Sequence, residues 1–241
     1  MESMDPAEPV EPDGEPGGVR GSGPVAGSRA GDAYLVVPDE GPGHGVLVLH
    51  SWWGLTRAVK DLVERLADAG YTALAPDLLD GVVPVDASQA EQLLRDSDPN
   101  ATQALIMSSL VALRAHSLDP QEPVAVIGFS MGASWALWLG TRLPADIDAV
   151  VAYYGAQNID FDDLVAPVLG HFAETDPLIT EDELVEMHSR LLLSEKYLDL
   201  HRYPGTGHWF AEEGIADHYD ADAADLAWQR TLGFLAEHTT D

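Results

Sequence analysis

The sequence predicts an α/β domain with a mostly parallel, doubly wound sheet and helices on both faces. Three observations carry this. Apolar runs of strand length, such as Val46-Leu47-Val48-Leu49 and Val124-Ala125-Val126-Ile127, have the character of strands buried on both sides. Segments of helical periodicity alternate with them, which implies parallel strands joined by crossover helices. The pentapeptide Gly128-Phe129-Ser130-Met131-Gly132 stands between one such run and one such helix, and reads as strand, sharp turn, helix.

Taken in order, residues 1–30 are rich in Pro, Gly, Glu, Asp and Ser without apolar period, and are expected to be a disordered tail rather than a partner-binding arm. The domain is expected over 31–241. A short strand begins at Ala33-Tyr34-Leu35-Val36-Val37, and Pro38 to Gly45 is a turn. The Val46–Leu49 strand ends at His50-Ser51-Trp52-Trp53-Gly54. Leu55, Val59, Leu62, Val63 and Leu66 have helical spacing, with Gly70 as a stop. Tyr71–Ala75 is a strand closed by Pro76-Asp77. Ser88–Asp96 and Thr102–His116 read as helices. The Ser130 segment follows with its helix, Ala133–Arg142, and then a strand over Asp148–Tyr153. The short link after that strand leaves no room for a large lid domain. Pro167–Phe172 is a strand. Thr180 with Glu183 forms a capping box that opens a helix through Leu192. Tyr197–Tyr203 alternates as a strand, Pro204–Gly207 is a turn, and Asp222–His238 is the closing helix.

Composition bounds the function. Of 241 residues, 46% are hydrophobic, enough for a sizeable core. Cysteine is absent, which removes disulfides, thiolate metal sites and a cysteine nucleophile. No apolar run is long enough to span a bilayer, and no basic-then-apolar leader is legible, so a cytoplasmic protein with no membrane partner is expected. Forty-one acids against twelve bases give a net charge of −29, which repels nucleic acid and anionic membranes. Lys60 and Lys196 are the only lysines. Salt adaptation and plain compositional bias account for this acidity equally well. No metal or cofactor is indicated, and a monomer or small homo-oligomer is expected.

The Gly128–Gly132 stretch matches G-x-S-x-G, the nucleophile elbow, in which a serine sits on a tight turn with its hydroxyl clear of the backbone. The competing reading is a glycine-bounded turn whose serine caps the helix. Reactive groups of a doubly wound sheet gather at the C-terminal strand ends. Ser130 ends one strand, Asp176 follows the Pro167–Phe172 strand, and His208 follows the Tyr197–Tyr203 strand. The order Ser, Asp, His is that of a hydrolase triad. Ser130 would attack, His208 would take and return the proton, and Asp176 would orient the imidazole. The backbone N–H groups of Met131 and Trp52 are the candidate oxyanion donors.

Each position has a bland reading. Asp176 could be a turn residue before Pro177, with Glu174 as the competing acid. His208 is one of nine histidines. His171 and His201 lie in strands and read as structural. Trp52 and Trp53 serve as core aromatics or as a pocket wall. Asp217, Asp220, Asp222, Asp225 and His218 read better as a solvated helix start than as a metal site.

With these residues in view, the chain resembles the dienelactone hydrolase family. The resemblance runs through Val46–Leu55, Ala69-Gly70-Tyr71, Ala75-Pro76-Asp77-Leu78, Gly128–Gly132, Tyr153-Tyr154-Gly155, Asp176 and Gly207-His208-Trp209-Phe210. It implies an α/β-hydrolase fold, a nucleophile–Asp–His triad, little or no lid, and a pocket that includes Ser51, Trp53, Trp209 and Glu212. Three departures stand out. The family's usual nucleophile is cysteine, and here it is Ser130. The glutamate that usually follows the histidine of the first motif, and takes part in activating the thiol, is Ser51. An arginine that holds a substrate carboxylate four residues past the catalytic histidine is Glu212. A carboxylate at that place would repel an anionic substrate. The expected substrate is therefore a neutral or weakly polar ester, or a lactone other than dienelactone, cleaved through an acyl-enzyme. Thioester or peptide cleavage on the same triad, or a non-catalytic binding protein of this fold, are the alternatives.

Overall fold

The computed structural model describes residues 33–215 and 217–239. The segment expected to be a disordered tail lies outside the described residues. The described chain folds as β1 (Ala33–Val36), β2 (Gly45–Leu49), α1 (Arg57–Asp68), β3 (Thr72–Pro76), α2 (Ala87–Asp96), α3 (Pro99–His116), β4 (Val124–Phe129), α4 (Met131–Arg142), β5 (Ile147–Tyr153), β6 (Val168–Thr175), α5 (Glu181–Leu193), β7 (Leu198–Gly207) and α6 (Ala221–His238). These strands form one seven-stranded sheet in the order β1-β3-β2-β4-β5-β6-β7. β1 is antiparallel to β3, and every other pairing is parallel.

The apolar runs are continuous because the sheet is covered on both faces, and consecutive side chains take opposite sides. Leu47, Leu49, Val124 and Val126 join the core beneath α3, α4 and α5. Val46, Val48, Ala125 and Ile127 join the core beneath α1 and α6. The chain leaves β2 for β3 on one side, then returns across β2 to β4 on the other. That reversal opens a crevice at the C-terminal ends of β2 and β4, where ligands of such sheets bind. Beyond β5 the link is short, and Phe161 and Leu164 anchor it in the core.

Several boundaries differ from the sequence reading, and two of them have a clear physical reason. Helix α3 starts at Pro99 rather than Thr102, because the Asp98 side chain accepts the Asn100 N–H and proline suits the first helical turn. The expected turn at Pro204–Gly207 instead continues β7, which lies at the sheet edge where proline is tolerated. After a register shift between Ala173 and Thr175, Thr175 pairs with Gly207. Asp176 and His208, the next residue of each strand, therefore leave the sheet side by side.

Candidate active site

The elbow is made by close approach. A Cβ at Gly128 would lie 2.2 Å from the Gly132 carbonyl oxygen, and one at Gly132 only 2.1 Å from that of Leu49. Gly155 faces the same turn, where a Cβ would lie 2.6 Å from the Ser130 carbonyl oxygen. Held on these sides, Ser130 adopts φ 51° and ψ −114°, a conformation an L-residue takes only under constraint. Its side chain caps nothing in α4, in contrast to the capping alternative. Instead Ser130 Oγ lies 2.8 Å from His208 Nε2. His208 Nδ1 lies 2.7 Å from Asp176 Oδ2. The second Asp176 oxygen accepts the N–H groups of Leu178 and Ile179 at 2.9 and 3.1 Å, which fixes the carboxylate. Glu174, the competing acid, turns away and accepts the Gly205 N–H at 2.7 Å.

Beside Ser130, the Met131 N–H opens helix α4, where unpaired donors and the helix dipole favour negative charge. Neither the Met131 nor the Trp52 N–H donates to a protein acceptor among the described residues. The loop that carries Trp52 is anchored by His50, which is fully buried. The Leu78 N–H donates to His50 Nε2 at 2.9 Å. This leaves Nδ1 to carry the proton and donate to the Ser51 carbonyl at 2.6 Å. Burial pushes the His50 pKa down, which keeps the ring neutral. The Gly54 N–H donates to the same carbonyl at 3.2 Å. The Ser51 carbonyl and the Trp52 N–H belong to one peptide plane, so these bonds orient the Trp52 donor as well.

The family model of the dienelactone hydrolase family matches residues 32–239. The chain belongs to the dienelactone hydrolase family. Carboxymethylenebutenolidase 1 of Cupriavidus pinatubonensis is 31% identical over 229 residues, covering 88% of this chain and 93% of that one. Protein usf of Aquifex pyrophilus is 29% identical over 216 residues, covering 86% of this chain and 93% of its own. The solved structure of a dienelactone hydrolase-like promiscuous phosphotriesterase from metagenomic libraries has the same fold, with TM-score 0.77 at 23% identity and coverage of 86% and 92%.

Within this family frame, two residues expected in the pocket, Ser51 and Glu212, are buried. Ser51 has no exposed surface, and Glu212 is 7% exposed. Ser51 Oγ donates to Glu212 Oε2 at 2.7 Å, and the Tyr154 hydroxyl donates to Glu212 Oε1 at 3.1 Å. Glu212 is thus a buried, doubly bonded carboxyl and not a free charge facing substrate. Burial raises its pKa from 4.5 to about 7, against the lowering effect of the Ser51 and Tyr154 bonds. The charge expected at an exposed Glu212 is therefore a buried one.

Trp52, Trp53 and Trp209 form one aromatic cluster. Trp52 stacks on Trp209 at 5.5 Å, Trp53 meets Trp209 edge-on at 5.6 Å, and Trp209 abuts the His208 ring at 4.7 Å. Trp209 is buried, and it braces the imidazole from behind. On the other side of the elbow, a cavity of about 440 Å³ is lined by Leu78, Leu79, Leu94, Met131 and Trp135, with Arg95 also at its wall. Arg95 is paired with Glu91, so this wall offers no unpaired cation.

Of the flanking histidines, His171 is structural, bonded to Tyr203 and Thr231 inside the core. Asp220, from the acidic run, caps α6 through the Ala223 N–H. Two residues of the site were not singled out by role from sequence. His50 could have been, since it stands at the end of β2 directly before the donor loop. Tyr154 carried no signal beyond its place after β5 and its part in the family resemblance.

Proposed function

We propose that this chain is a serine hydrolase that cleaves neutral carboxylic esters or lactones through an acyl-enzyme. The observation that carries the reading is the continuous path from Ser130 Oγ to His208 Nε2 at 2.8 Å and from His208 Nδ1 to Asp176 at 2.7 Å. Ser130 Oγ attacks the substrate carbonyl carbon while His208 Nε2 takes its proton. Asp176 holds the Nδ1–H tautomer and stabilises the imidazolium. The Met131 and Trp52 N–H groups receive the developing oxyanion. On collapse, the C–O bond to the leaving alkoxide breaks and His208 returns the proton to it. In a lactone that alcohol stays tethered to the acyl group. Water, deprotonated by His208, then attacks the acyl carbon, and on collapse the bond to Ser130 Oγ breaks while His208 returns that proton to Oγ.

The cavity beside Met131 supports a substrate with an apolar acyl part. It is lined by Met131, the residue whose N–H is the first oxyanion donor, and His208 is not among its lining residues. The carboxymethylenebutenolidase name of a relative supports ester or lactone bonds as the target. The experiment is labelling with a fluorophosphonate together with hydrolysis of p-nitrophenyl acetate. The wild-type chain is expected to do both, and Ser130→Ala neither. Full activity in Ser130→Ala would overturn the reading.

A further inference from the structure

The family's arginine position is occupied here by a buried carboxyl, Glu212, which is 7% exposed. Glu212 lies in the turn that begins with His208, and its backbone N–H donates to the Trp209 carbonyl at 2.9 Å. Its side chain reaches two other loops. One oxygen accepts Ser51 Oγ–H from the loop after β2, and the other accepts the Tyr154 hydroxyl from the end of β5. Ser51 Oγ in turn accepts the Trp53 N–H at 3.3 Å, so it grips the loop on both sides of the Trp52 donor. Tyr154 packs its ring 5.0 Å from that of His208.

We propose that Glu212 is a positioning residue of the oxyanion site: its buried carboxylate ties the loop that carries the Trp52 N–H to the turn that carries His208. The proposal rests on the acyl-enzyme reading above. Nucleophile, base and oxyanion donor sit on three separate loops, and preorganisation of the donor requires that these loops keep a common geometry. Covalent structure does not link the β2 loop to the His208 turn, whereas the Ser51–Glu212 bond does.

The ionised form fits the observed bonds, because both partners are hydroxyl donors and a carboxylate accepts from both. A protonated carboxyl donates one bond itself, so one hydroxyl must turn from donor to acceptor and the charge-assisted bonds become weaker neutral ones. Burial holds the Glu212 pKa at about 7, so the clamp tightens as pH rises through neutrality. A small cavity next to Glu212 carries the other titratable groups of the surrounding elements: Asp61 and Arg65 of α1, Tyr153 of β5, Glu213 and Tyr219 of the following turn, and Asp225 of α6. None of these hydrogen-bonds to Glu212, so the two hydroxyls remain its polar partners.

The test measures kcat and KM for p-nitrophenyl acetate in the full chain, with wild type, Glu212→Gln, Ser51→Ala and the double variant. Each single change should lower kcat about tenfold to a hundredfold with KM within about twofold. That lies at or below the ~10²–10³ loss for removal of an oxyanion donor. The double variant should fall no further than the worse single variant, because both break one link. The acid limb of the wild-type kcat/KM profile should steepen by the proton that Glu212 takes up. In Glu212→Gln it should return to one proton. If Glu212→Gln does not fold, Ser51→Ala combined with Tyr154→Phe carries the same comparison. Unchanged kcat, strictly additive losses or a one-proton limb in wild type would overturn the clamp while Ser130→Ala stays inactive. An active Ser130→Ala would instead defeat the acyl-enzyme reading.

Discussion

Gly132 and Leu49 are in backbone contact: a Cβ on Gly132 would stand 2.1 Å from the Leu49 carbonyl oxygen and 2.7 Å from that of His50. This contact seats the elbow helix against the end of β2, directly before the loop that carries Trp52. Gly132→Ala has no flexible neighbour to displace. It is expected to cost about 1–3 kcal/mol or more through overpacking. Fluorophosphonate labelling of Ser130 should slow at least about tenfold, since a small misplacement at the reacting atoms is costly. A urea melt and a labelling time course measure the two effects.

Asp176→Asn should keep the fold and lower kcat by ~10⁴-fold, because an amide favours the wrong imidazole tautomer. Glu174→Gln should stay within a few-fold of wild type, since Glu174 serves only the Gly205 N–H. Steady-state kinetics on one ester distinguishes the two acids. Equal losses at both positions would refute the assignment of Asp176.

His50→Ala would remove the donor to the Ser51 carbonyl and leave the buried Leu78 N–H without its acceptor. The unpaired amide should cost about 1–3 kcal/mol of stability. Activity should fall as well, with kcat rather than KM affected, because the Trp52 peptide loses its tether. Chemical denaturation and kinetics on the same preparation test both.

Glu212 should make stability depend on pH with a definite sign. Its pKa is about 7 in the folded chain against 4.5 for the ordinary group. Between these values the folded chain holds a proton that the unfolded chain has lost, so this group's contribution to stability falls as pH rises. The cost is complete above pH 7 and on the order of 3 kcal/mol. Glu212→Gln cannot ionise and should lack this loss. Urea midpoints at pH 5 and pH 8 should therefore converge for the variant relative to wild type.

The apolar cavity beside Met131 should show itself in chain length. Each methylene buried there contributes ~0.8 kcal/mol, about fourfold in kcat/KM, until about 440 Å³ is filled. A p-nitrophenyl ester series from acetate to octanoate should rise and then level. Trp135→Ala should move the optimum to longer chains. A flat series would remove the cavity from the acyl site.

Much of the site was legible from local pattern. The elbow shows because its glycines and serine are contiguous and flanked by a strand and a helix. Asp176 and His208 show because each directly follows a strand, and strands of a parallel sheet end on one side. The boundary of β7 was not legible: Pro204-Gly205 has turn chemistry, and only pairing with β6 makes it strand. The burial of Ser51 and Glu212 was not legible either. They are far apart in sequence, and nothing local distinguishes a buried glutamate from a solvated one in so acidic a chain.

The sequence by itself determined the alternating architecture, the order of Ser130, Asp176 and His208 at the strand ends and the family, since these depend on periodicity and short motifs. Only the tertiary structure decided what Glu212 does. A carboxylate read as a charge facing substrate is folded inward, where low polarity raises its pKa and two hydroxyls from separate loops satisfy it. Burial and hydrogen-bond partners are properties of chain segments brought together, and no local stretch of residues contains them.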